Sequence, residues 1–119
     1  MWPRPRTIAL IQASSYGYFS AWALTRREHY RRAHQLDAED WILNAHAGWM
    51  ALVCATLLTA AARDQVTNQE RWIGLAAAAG LAANDAMLRG RIAPIYRIDL
   101  VYETALALLW LKAHPEERL

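Results

Sequence analysis

The stretch WILNAHAGWMALVCATLLTAAA, residues 41–62, runs for twenty-two residues without one charged side chain. A helix needs about twenty mainly apolar residues to cross a bilayer. This segment meets that requirement and predicts a helix buried in lipid or deep in a core.

Three further stretches share its length. Residues 7–25 are also uncharged, though studded with Ser, Tyr and Gln. Residues 71–88 are apolar beyond Trp72 apart from Asn84 and Asp85. Residues 92–113 are apolar in their second half and carry Arg97, Asp99 and Glu103 in their first. The expected fold is all-α, a four-helix transmembrane bundle with short loops, forming a single integral membrane domain over residues 1–119.

Composition agrees in part. Hydrophobic residues make up 55% of the 119 residues, above the usual share for a soluble domain. The mean hydropathy of -0.01 is low for a multi-pass protein. A soluble helical bundle would account for that value and for the acids. It accounts less well for the uncharged 41–62 run and for the tryptophans. Trp2, Trp22, Trp41, Trp72 and Trp110 lie near stretch boundaries, as an interfacial aromatic belt requires.

The N-terminal stretch imitates a signal peptide, but its unbroken apolar core, residues 8–11, is short for one, so it is read as a retained first span. The links are short: residues 26–40 form the longest, residues 63–71 a polar turn, and Arg89-Gly90-Arg91 before Pro94 the tightest. Small residues repeat along helix faces in Ala13-Gly17-Ala21, Gly48 with Ala51 and Ala55, and Gly74-Ala78-Ala82. This spacing lets helix backbones approach closely in lipid.

The basic residues do not set orientation. Six lie in the first and third links (Arg26, Arg27, Arg31, Arg32, Arg89, Arg91), and six on the opposite side (Arg4, Arg6, Arg63, Arg71, Lys112, Arg118). The count leaves dual topology open. The net charge of +2, without a basic stripe interleaved with aromatics, argues against nucleic acid as a partner. The lone Cys54 excludes an intramolecular disulfide and a cysteine zinc site.

An up-down-up-down order would gather the polar residues within the spans at one end of the bundle. Asn44, His46, Asn84, Asp85, Asp99, Tyr102 and Glu103 are the candidate site, with Tyr16, Tyr18, Ser20 and Tyr96 nearby. At about 100° per residue, Tyr96, Asp99, Tyr102, Glu103, Leu106 and Trp110 share one face, and Arg97 points away. Asp85 shares a face with Gly74, Ala78 and Ala82. Asn44 falls on the expected packing face of its helix and His46 about 200° from it. The opposite half of the bundle reads as almost wholly apolar.

Acids held in low dielectric suit proton or cation handling. No pattern identifies a cofactor, and one intramembrane histidine without a Glu-x-x-His pair argues against a di-iron site. The leading expectation is a homo-oligomeric channel or transporter subunit in the cytoplasmic membrane of a prokaryotic or phage system, rather than an enzyme. An accessory or holin-type scaffold is one alternative, with Asp85 and Asp99 paired to Arg89, Arg91 or Arg97. A small intramembrane enzyme acting on a lipid-like substrate is another.

Overall fold

A computed structural model describes residues 3–34, 39–87 and 94–113, and among these every regular element is a helix. The five are α1 (Pro5–Thr25), α2 (Arg27–His34), α3 (Asp40–Ala62), α4 (Asn68–Met87) and α5 (Pro94–Lys112). The all-α expectation holds. Residue 2 and the link 88–93, with Arg89, Gly90 and Arg91, lie outside the described residues.

Local chemistry sets the helix ends. Pro5 occupies the first turn of α1, where its missing N–H costs nothing. Thr67 and Glu70 form a capping box at the start of α4. The Glu70 N–H donates to Thr67 Oγ1 at 3.2 Å, and the Thr67 N–H donates to Glu70 Oε1 at 2.9 Å. At the end of α3, Asp64 takes a left-handed conformation with φ 54°, which a short polar side chain tolerates. Arg71 closes α5 by donating from Nε to the Trp110 carbonyl and from a terminal nitrogen to the Leu111 carbonyl, both at 2.8 Å. A cation is favoured at that negative end of the helix dipole.

The first link is not a plain loop, as the sequence had implied. Residues 27–34 form α2, with Glu28 in its first turn and Arg31, Arg32 and His34 in its last. Both placements complement the helix dipole. Arg31 bridges Glu28 and Asp40, tying α2 to the start of α3.

The long helices pack as two antiparallel pairs, α1 with α3 and α4 with α5, joined by a thinner seam. In the first pair, Arg6 Nε donates to the Ala61 carbonyl at 3.0 Å. A Cβ added at Gly17 would lie 3.0 Å from Cys54 Sγ. Of the three small-residue stripes, Gly74-Ala78-Ala82 is the most fully used: Gly74 and Ala78 are buried and Ala82 half-buried. A Cβ on Gly74 would meet the Trp110 ring at 2.6 Å. The Gly48, Ala51 and Ala55 stripe is not a packing face. A Cβ on Gly48 would touch nothing within 4 Å. The inward face of α3 is instead Leu43, Ala47, Met50, Val53 and Leu57. These larger groups fill the space that small Ala9, Ala13 and Gly17 leave on α1.

The distribution of polarity is inverted. Gln12, Ser20, Asp85 and Glu103 are buried. Leu52 is 67% exposed, and Ile98 and Val101 are each 71% exposed. Exposed ion pairs lie at the two ends of the long helices, such as Arg6–Asp64 and Arg63–Glu70 at one and Arg27–Asp40 at the other. By length and composition, Asp40–Ala62 alone among the described helices is long and apolar enough to cross a membrane. The four expected spans are thus not matched by four such helices, because polar side chains in α1, α4 and α5 lower their average hydropathy.

Candidate functional site

The seam between the helix pairs is closed at one end and open at the other. At the closed end, Gln12 of α1 is fully buried. Its Nε2 donates to the Gly74 carbonyl of α4 at 3.0 Å, and its Oε1 accepts from Trp110 Nε1 of α5 at 2.6 Å. One amide therefore clasps three helices. This corrects two expectations: Trp110 is a core residue rather than a belt residue, and the greasy half holds a buried polar joint. Trp41 and Trp72 remain exposed at helix starts. The signal for Gln12 was present in the sequence. Ile8, Gln12, Tyr16 and Ser20 are spaced by four, share one face and are all buried.

One turn further along, Glu103 is 1% exposed. Tyr16 of α1 donates to its Oε2 at 2.9 Å, while Oε1 has no partner among the described residues. Beside it, Tyr102 donates to Ser15 Oγ at 2.7 Å, again from α5 to α1. Hydrogen bonds therefore bridge the seam at two levels.

Beyond these lies a cavity of about 480 Å³. Its acids are Asp85 of α4 and Asp99 of α5. Asp85 is 2% exposed, and its Oδ2 meets no donor among the described residues. Aromatic rings line one side, Phe19, Tyr30, Tyr96 and Tyr102, together with His34 and His46. Ile42, Met50 and Leu81 supply an apolar wall. No lysine or arginine lines the cavity among the described residues.

The structure brings together most of the candidate residues. Asp85, Asp99, Tyr102, Asn84 and His46 line the cavity, and Glu103 sits just beneath it. Asn44 and His46 exchange roles relative to the sequence reading. Asn44 is exposed and away from the cavity, and His46 lines it. The cause is the rotation of α3, whose inward face runs through Leu43 and Ala47 beside His46. Arg97 is exposed and forms no ion pair with Asp85 or Asp99, so that pairing is absent. Arg89 and Arg91 lie outside the described residues.

Sequence reasoning missed the contribution of α2, having read it as a connection. His34 is buried against the end of α1. Its Nδ1–H donates to the Tyr30 carbonyl at 2.9 Å, and its ring stacks on Tyr30 with centroids 4.0 Å apart. Trp22 and Phe19 pack on it, and Tyr96 of α5 meets it edge-on at 5.5 Å. Burial lowers the His34 pKa below 6.5, and burial pushes Tyr30 up to about 12. The i,i+4 spacing of Tyr30 and His34 was the available signal.

Among the described residues, no group of three His, Cys, Asp or Glu side chains is placed to hold a metal ion. The arrangement offers a carboxyl pair, ring faces and an apolar wall around one space. No protein-family model, curated protein or solved structure matches the chain.

Proposed function

We propose that this chain is a small multi-pass membrane protein and a transport subunit that moves protons or a small solute through its acidic half. The observation that carries the membrane reading is the inverted polarity. Gln12, Asp85 and Glu103 are enclosed, while Leu52, Ile98, Val101 and Leu108 face outward. In water that arrangement would expose greasy surface and bury polar groups, both unfavourable. In a bilayer the same arrangement is favourable, because lipid solvates the outer face and the acids are sheltered by protein. Helices of 19 to 23 residues are about 30 Å long, close to the hydrocarbon thickness. The basic, aromatic α2 then lies at one interface.

The transport reading draws on the seam. Two well-packed pairs meet along a hydrogen-bonded line with a cavity at one end and the Gln12 clasp at the other. Rocking of α1 and α3 against α4 and α5 would close the cavity and loosen the clasp, giving access from alternate sides. Glu103, held by Tyr16 across the seam, couples the acid's state to the contact between the pairs. A second copy supplies the remaining wall of the pathway, since four helices enclose little volume.

The test is proton and cation flux into liposomes containing the purified protein. Wild type is expected to conduct and Glu103→Gln to lose flux while remaining folded. Equal flux in the two, or none above empty liposomes, would overturn the transport reading and leave the scaffold. Release of the protein from membranes by alkaline carbonate would overturn the membrane reading itself.

A further inference from the structure

We propose that the cavity binds an organic ammonium cation with an apolar body, its charged head between Asp85 and the aromatic rings. The inference rests on the transport reading and names the substrate class of that same site. The central observation is Asp85, which lines a cavity of about 480 Å³ and whose buried Oδ2 has no hydrogen-bond donor among the described residues. A buried carboxylate oxygen left without a partner is costly, so a site that keeps one is shaped for a ligand that supplies the missing partner.

The walls restrict what that ligand is. An anion would face Asp85 and Asp99 with no lysine or arginine among the described lining residues to offset them. A neutral apolar molecule would fill the space and leave Asp85 Oδ2 as it is. A small inorganic cation would use the carboxyls but leave the volume and the apolar wall of Ile42, Met50 and Leu81 unused. A proton needs neither the volume nor the rings. An organic ammonium uses every wall. Its charge meets the carboxyls and the aromatic rings that line the cavity, the usual chemistry of aromatic cages. Its apolar body lies on the aliphatic side, where Met50 adapts to shape.

The ring side of the cavity is supplied partly by α2, outside the long helices. Tyr30 and His34 reach it because α2 folds back onto α1, and Tyr96 meets His34 from α5. Between Tyr30 of α2, which packs on α1, and Asp85 and Tyr96 of the α4–α5 pair, a cation would bridge the two sides of the seam, as a substrate that drives a change between the pairs must.

The experiment is equilibrium dialysis of radiolabelled benzyltriethylammonium against the full-length protein in lipid nanodiscs, with empty nanodiscs subtracted. Benzenesulfonate serves as the probe of opposite charge. Saturable binding of the cation and none of the anion is expected. Asp85→Asn should weaken binding about tenfold or more, the loss of a charge-assisted contact. Tyr30→Leu should weaken it several-fold and Tyr30→Phe, which keeps the ring face, should restore it. Each variant is checked for folding by gel filtration. Absence of saturable cation binding overturns the proposal, as do equal binding of the anion and undiminished binding in both folded Asp85→Asn and Tyr30→Leu. Proton flux that depends on Glu103 without cation binding would sink the substrate class and spare the transport reading. Specific cation binding without any flux would do the reverse.

Discussion

At the Gln12 end of the seam, both polar ends of the buried amide have partners, whereas at the Asp85 end two buried carboxylate oxygens have none among the described residues. The clasp joins α1, α4 and α5, and the acidic end adds α2 and α3 to these. Their difference separates roles. A satisfied buried network fixes geometry. An unsatisfied one stores a cost that only a ligand, a proton or a conformational change removes. The clasp therefore holds the pairs in one arrangement, and under the proposed function the acidic end is where that arrangement is acted upon.

The sharpest way to break this comparison is to neutralise one acid and one clasp residue separately. Glu103→Gln should abolish flux while leaving the thermal midpoint in detergent unchanged or raised. A folded variant that keeps wild-type flux would erase the distinction between the two ends.

The next largest effect concerns one substitution at two glycines. Gly74→Ala drives a methyl into the Trp110 ring, which Gln12 pins, and should cost about 1–3 kcal/mol as overpacking does. Gly48→Ala meets nothing and should be neutral or stabilising by up to about 1 kcal/mol. Thermal melts of both variants decide it. Equal shifts in one direction would mean that α4 and α5 do not pack as described.

Removing the clasp itself should follow. Gln12→Leu leaves the Trp110 Nε1–H without its acceptor and should cost about 1–3 kcal/mol. Combined with Trp110→Phe, the loss should be less than additive, because the two groups share one bond. Strict additivity in the double-mutant cycle would remove the clasp from the account.

The smallest effect is in pH. His34 lies in α2, and its pKa is lowered by burial, with the Tyr30 carbonyl and the charge of Asp99 acting the other way. Phe19, Trp22 and Tyr96 are its other neighbours. A base with a depressed folded pKa takes up its proton first in the unfolded state. The stability of the α2 dock should therefore be constant well above pH 6.5 and decline as pH falls through that value. Hydrogen exchange of α2 amides at pH 7.5 and 5.5 would register the loss. His34→Phe should flatten the dependence, and an unaltered dependence in that variant would assign it to another group.

Much of the architecture was legible because it depends on local pattern. The uncharged run at 41–62 lies in the chain order itself, as does Pro94 at the start of α5, whereas the polar link expected at 63–71 is shorter because α4 begins at Asn68. So does the face of α5 that carries Asp99, Tyr102 and Glu103, since helical periodicity fixes which residues share a side. Arg97 was placed outward for the same reason, and it is exposed.

What the sequence by itself determined is thus the four long helices, their order and the placing of most candidate polar residues toward one end. The tertiary structure decided how each helix is turned about its axis. That rotation put His46 rather than Asn44 in the cavity, left Gly48 facing outward while Gly74 receives Trp110, and folded α2 back so that His34 completes the aromatic side. The physical reason is that α3 is apolar nearly all round, so its own periodicity names no preferred face. Only the volumes offered by Ala9, Ala13 and Gly17 on α1 select one.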